Sequence, residues 1–232
     1  MPFFYMLHPS SLLIIPALII ALWAQTRVKA AYRKYAAVQT RSGMTGAAAA
    51  QAIMMSAGVH AVDIELTPGE MTDHYDPVKK TLRLSRDVYA GSSIASVGIA
   101  AHEVGHAIQD AHSYAPMRLR HFMYPVSSLG STLAFPLIFI GIFFEFTGSA
   151  LMINLGIWLF TAAVAFTLVT LPVEFDASRR AVKALAEGGY LTQEELTGVR
   201  KVLNAAAMTY VAAAAVAILQ LIRILMIARG RN

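Results

Sequence analysis

The sequence predicts a mainly α membrane protein with about four transmembrane helices, a small antiparallel β-sheet, and one further helix carrying the motif HExxH. Three observations predict it. Of 232 residues, 56% are hydrophobic and only 14% are charged, whereas soluble globular chains carry roughly 25% charged residues; the chain has given up surface that water would solvate. Four segments are apolar for long enough to cross about 30 Å of hydrocarbon as helices. Between the first and second of them, His102-Glu103-Val104-Gly105-His106 sits in a proline-free apolar run from Ile94 to Ile108. With no Cys anywhere, disulfides and thiolate-ligated metals are excluded, and any zinc must be held by His and carboxylates. The net charge of +5 suits a membrane surface. Nucleic acid is excluded as a partner, because the basic residues do not alternate with aromatics in any groove-like segment.

Residues 1–26 form the first transmembrane helix. Phe3 to Ala24 contains no Lys, Arg, Asp or Glu, and no basic region precedes it, so it reads as an uncleaved helix rather than a signal peptide. Arg27, Lys29, Arg33, Lys34 and Arg41 follow it directly. Residues 27–121 form a zincin-like section. Thr45 is placed to cap a short Ala-rich helix that Gly58 ends. Val62, Ile64 and Leu66 then alternate with Asp63, Glu65 and Thr67, the period of a half-buried strand. After the turn signal Pro68-Gly69, the stretches Thr72–Tyr75 and Lys80–Leu84 read as two more short strands around Asp76-Pro77, completing the antiparallel sheet. An edge of that sheet could hold an extended substrate by strand addition, or the sheet could simply support the next helix.

That next helix is the one with the motif. Ser92 or Ser93 caps it, and Ile94, Val97, Ala101 and Ile108 are spaced to face a core. Gly105 inside it costs roughly 1 kcal/mol against Ala, which suggests the close approach of another backbone. Past Gln109 the chain turns polar, and Arg118, Arg120 and His121 mark a membrane entrance. Residues 122–172 form a transmembrane hairpin, Phe122–Phe144 and Ala150–Leu171, joined by a short link with Glu145, Thr147 and Gly148. A hairpin returns the chain to the side it left. Residues 173–204 are the second polar section: a helix from Val173 to Glu187, stopped by Gly188-Gly189, then a capping-box pattern at Thr192-Gln193-Glu194-Glu195. Residues 205–232 hold the fourth transmembrane helix and the tail with Arg229 and Arg231.

On a helix, His102 and His106 lie one turn apart on one face, so both imidazoles reach a single zinc ion. Glu103, about 100° around, touches the position where a zinc-bound water sits and takes its proton as general base. The competing reading is a chance pattern on a buried helix. Against it, Glu103 is the only acidic residue from Val88 to Gln109, and an unpaired carboxylate in so apolar a helix is costly.

Asp73 to Pro77, Thr81 to Ser85, Ala101 to Gln109, and Leu171-Pro172-Val173-Glu174-Phe175-Asp176-Ala177-Ser178 together resemble the YugP-like neutral zinc metallopeptidases of bacterial membranes. The resemblance spans nearly the whole chain. It implies a membrane-bound, zinc-dependent peptidase. More distantly, the order of HExxH helix, hairpin and later glutamate is similar to HtpX and the CAAX-prenyl proteases. Those place Glu-x-x-x-Asp after the hairpin; here the fifth position is Ser178, and a carboxylate stands at Asp176 instead.

Three residues compete for the third zinc ligand. His112 stands ten positions after His102, the spacing of three-histidine sites, but Gln109 occupies the position where those sites need glycine. Asp176 has a shorter side chain and points about 200° away from Glu174 on a helix, so both cannot face one metal. Glu174 lies just past the hairpin, on the side of the HExxH helix, and matches the glutamate of the resembled family. The expected metal set is therefore His102, His106 and Glu174, with Glu103 catalytic. Ser178, one turn beyond Glu174, is a possible hydrogen-bond partner for a ligand. For the oxyanion, His74, Tyr75, His112, Arg179 and Tyr190 are all candidates.

The expected function is a gluzincin-like endopeptidase with Zn2+ as cofactor, cleaving peptide or protein substrates in or near the lipid membrane through a Glu-activated zinc-bound water. The alternative is a non-catalytic membrane scaffold with a structural metal site, although a closed site wants four protein ligands and there is no Cys to complete one. A metal transporter would want ionisable residues inside the spans, which offer almost none. The polar sections hold most of the Lys and Arg, so by the positive-inside rule the site is expected on the cytoplasmic face of a bacterial inner membrane, with both termini outside.

Overall fold

The computed structural model describes residues 9–144 and 148–229. Parts of three expectations, Phe3 to His8 of the first span, Glu145 and Thr147 of the hairpin link, and Arg231 of the tail, lie outside these residues. A short 3-10 turn, Pro9–Leu13, leads into α1 (Ile14–Ala36). There follow α2 (Gly46–Ser56), β1 (Asp63–Thr67), β2 (His74–Asp76), β3 (Thr81–Ser85), α3 (Arg86–Tyr89), α4 (Ile94–Ala111), α5 (Ala115–Phe143), α6 (Ser149–Glu187) and α7 (Gln193–Arg229). Among the described residues, the four long helices, with α1 counted from Pro9, are long and apolar enough to cross a membrane.

The chain divides into two compact units. The first comprises Met1–Ala24, Leu119–Leu171 and Thr209–Asn232. Its core gathers Ala134 and Ile138 from α5, Phe160 and Val164 from α6, and Ile224 from α7. Glycines let α5 and α6 approach: a Cβ on Gly130 would sit 2.6 Å from the Leu159 carbonyl oxygen, the small-residue packing that lipid-embedded helices favour. Leu129, Phe139, Leu151 and Trp158 are exposed in the isolated chain, which is the face a bilayer would cover.

The second unit comprises Gln25–Arg118 and Pro172–Met208. At its centre lies α4, with 13 of its 18 residues buried, so it is apolar nearly all round as a core helix must be. Ile53 of α2, Leu82 and Leu84 of β3, Leu185 of α6, and Leu196 and Val199 of α7 share its core. Local caps start these helices where the sequence places them. The Thr45 hydroxyl accepts from Ala48 N–H, and that of Ser93 from Ser96 N–H. Thr192 and Glu195 form a reciprocal box, with the Glu195 carboxylate accepting from Thr192 N–H at 2.7 Å. At the end of α6, Gly189 takes φ +64°, a left-handed turn that stops the helix.

Two expectations change. The sheet is mixed, not antiparallel: its order is β1-β3-β2, with β2 antiparallel to β3 and β1 parallel to it. The reason is burial. Three strands in succession alternate in direction, and β3, with Leu82 and Leu84 fully buried, takes the centre, so the first and third strands become neighbours. Leu66, at the outer edge on β1, stays 59% exposed instead of turning inward. The second change is in α6. The second span of the hairpin and the helix from Val173 to Glu187 are expected as separate segments, yet one helix runs through Pro172 and joins them. Proline removes a single backbone donor, and every other backbone group there is better satisfied by continuing the helix than by ending it in an apolar run.

Candidate metal centre

From α4, His102 and His106 project one turn apart, their ring centroids separated by 4.8 Å and their planes nearly perpendicular. Facing them from α6 is Glu174, only 2% exposed. Its Oε2 lies 3.3 Å from Nε2 of His102 and 3.6 Å from Nε2 of His106. One donor atom from each of the three falls within 4.8 Å of the others, the one such cluster of His and carboxylates among the described residues. Tetrahedral bonds of roughly 2.0–2.2 Å set neighbouring donors about 3.3–3.6 Å apart. The two distances to Glu174 match that spacing.

The other nitrogens of the two imidazoles are held from behind. Nδ1 of His106 is 3.0 Å from Oε1 of Gln109, a fully buried side chain. The amide of Gln109 cannot be turned round, because its Nε2 faces two acceptors, the Val173 carbonyl at 2.8 Å and Asp176 Oδ2 at 2.9 Å. Its Oε1 must then accept, so Nδ1 of His106 carries a proton, and Nε2 is the nitrogen turned toward Glu174 and available to a metal. For His102, the hydroxyl of Ser178 lies 3.1 Å from Nδ1. Once that Nδ1–H donates to it, Nε2 of His102 is likewise turned toward Glu174 and available to a metal. A metal ion there would take both lone pairs and the carboxylate oxygen; without one, a proton on an imidazole Nε2 bridges to Glu174. The donor chemistry fits a divalent cation as well as the spacing does.

Glu103 is partly exposed and receives the backbone N–H of Tyr75 from β2. Burial pushes its carboxyl up to about 7; His102 opposes the rise, while the negative charges of Glu174 and Asp73 add to it.

Gly105 explains how α4 and α6 come so near. A Cβ there would lie 2.4 Å from the Ala177 carbonyl oxygen, the backbone approach its place in the helix suggests.

The competing ligands are elsewhere engaged. Asp176 Oδ2 accepts from Gln109 and from Nε of Arg180 at 2.5 Å, and His112 is an exposed C-cap of α4. Of the oxyanion candidates, His74 bonds the Thr72 carbonyl through Nδ1, and the side chain of Arg179 is 77% exposed. Tyr190 packs against the core. Tyr75 donates its hydroxyl to Asp110 Oδ2 at 2.7 Å; burial and that bond push it well above the usual tyrosine range, and Lys80 pairs with the same carboxylate. The residue that sequence reasoning missed is Gln109, weighed only for not being glycine. Its position three residues after His106, within one turn on the same face, is the signal that could have found it.

Over residues 10–229 the sequence matches the family described as "Putative neutral zinc metallopeptidase". It is 47% identical over 215 residues to the "Putative membrane protease YugP" of Bacillus subtilis (strain 168), covering 93% of this chain and 94% of that one. No solved structure matches it.

Proposed function

Because this chain belongs to the neutral zinc metallopeptidase family, we propose that it is a membrane-embedded endopeptidase in which His102, His106 and Glu174 hold zinc and Glu103 is the general base. The observation that supports this most is the convergence of both Nε2 atoms on Glu174 Oε2, with Glu103 next in the chain to His102. Zinc bound there would supply Lewis acidity, lowering the pKa of water and polarising a peptide carbonyl.

The rest falls to the chain's own residues. Glu103 takes a proton from the attacking water on its carboxylate and returns it to the departing amide nitrogen, so that one peptide bond and one water become a carboxylate and an amine. A carboxyl raised by its enclosure above the ordinary carboxylate range is the better proton carrier for both halves of that transfer. Tyr75 N–H, bonded to the same carboxylate, fixes its direction. Ser178 and Gln109 hold the imidazoles in orientation, and Asp176 holds Gln109. Substrates are proteins in or next to the bilayer, and the site works on the cytoplasmic side of a bacterial inner membrane.

Glu103→Gln tests the reading against a scaffold. Purified protein is expected to keep its zinc while cleavage of a quenched peptide library falls by about 10²–10⁴-fold; unchanged cleavage would sink the assignment. In the same metal analysis Glu174→Ala loses zinc and His112→Ala retains it.

A further inference from the structure

Four residues past the apolar run ending at Leu171, Phe175 begins a groove between α6 and α7 with a volume of about 520 Å3. Arg179 and Lys183 of α6 and Arg200 of α7 line it, with Leu203 and smaller aliphatic side chains, and no carboxylate belongs to its lining. The cations are only loosely engaged. Arg179 is 3.9 Å from Asp176 Oδ1, and Lys183 is 3.8 Å from Glu187, with both of the latter side chains exposed; such pairs contribute little in water.

The order of groups along each helix is informative. On α6, Arg179 and Lys183 lie four and eight residues beyond Phe175, about 6 and 12 Å along the axis. On α7, Arg200 precedes Leu203 by three residues, about 4.5 Å. On α6 the groove's one large apolar side chain, Phe175, is its residue nearest in sequence to the apolar run 150–171, and Arg179 and Lys183 stand one to two turns farther from it, with the smaller Val182 and Ala186 among them; on α7 Arg200 likewise stands farther from the run 205–228 than Leu203 and Asn204 do. That is the order of an amphiphile, hydrocarbon first and anionic group beyond. An acidic peptide has no use for it.

We propose that this groove binds the headgroup of an anionic phospholipid, with Arg179, Lys183 and Arg200 around the phosphate and the exposed ring of Phe175 against the first acyl carbons. Ser178 lines the groove as well, so the headgroup site and His102 share one hydroxyl. Basic residues at the ends of spanning helices attract anionic lipid with about fivefold in affinity for each cation.

The test is native mass spectrometry of the full chain in a neutral detergent, titrated with phosphatidylglycerol or phosphatidylcholine. Wild type is expected to prefer phosphatidylglycerol, and Lys183→Gln/Arg200→Gln to lower that affinity about 25-fold, with phosphatidylcholine binding and zinc content unchanged. Should the double variant lose zinc, Arg200→Gln alone carries the test with a loss of about fivefold. An equal loss in Lys29→Gln/Arg33→Gln, which removes the same charge from α1, overturns the site in favour of diffuse attraction. Competition by glycerol phosphate or by an acidic peptide at the concentrations where the lipid acts overturns it in favour of a plain anion or peptide site. None of these readouts depends on proteolysis, so the peptidase reading and this one fail separately.

Discussion

Gln109 ties three things together with one amide: the His106 proton, the Val173 carbonyl next to Glu174, and Asp176. Truncating it frees His106 to turn and removes a donor from both the Val173 carbonyl and the Asp176 carboxylate. Gln109→Ala is expected to weaken zinc binding by about 10–100-fold, read by competition with a chelator, and to leave the helical circular dichroism unchanged. Glu103 gives a second prediction, in metal-free protein. Its folded pKa, about 7, lies above the ordinary 4.5, so between those values the folded state binds more protons than the unfolded one and stability falls as pH rises. The cost is complete above about pH 7 and absent below about pH 4. Glu103→Gln removes it. The variant's thermal midpoint should exceed wild type clearly at pH 8 and converge on it at pH 5; a gain independent of pH would refute the shift.

Between elements, the decisive contact is that of α4 with α6 at Gly105. The atom a Cβ would strike is a backbone oxygen, that of Ala177, which cannot swing aside, and Ala177 sits between Asp176 and Ser178. Gly105→Ala is expected to cost about 1–3 kcal/mol and to lower zinc affinity, measured by thermal melts with and without metal. Gly98→Ala, facing the Val199 side chain at 3.1 Å, should be milder, because a side chain can give way. What was legible in the sequence follows the same division. Thr45, Ser93 and the Thr192–Glu195 box are readable because a cap is settled within three residues, and the HExxH spacing is settled within one turn. The sheet order was not, since the burial that puts β3 in the centre comes from helices elsewhere in the chain. Nor was the role of Gln109, whose partners lie 64 and 67 residues away. Nor was the continuity of α6 through Pro172, because the chain turns from apolar to polar there, and a change of surroundings is not by itself a helix end.

At the scale of the whole molecule, four helices among the described residues are long and apolar enough to cross a membrane, and the two polar sections carry 16 of the 19 Lys and Arg residues. Reporter fusions near Lys79 and after Arg200 are expected to read cytoplasmic; export of either would overturn the proposed orientation. The donor set has a consequence that reaches beyond geometry. Its three side chains offer nitrogen and oxygen only, and the chain contains no Cys. Thiolate sites release their metal when peroxide oxidises the sulfur, but imidazole and carboxylate have no such chemistry. Any zinc held there as proposed would be governed by proton activity and competing chelators, and a cell under oxidative stress, losing zinc from its thiolate sites, would be expected to keep such a centre loaded.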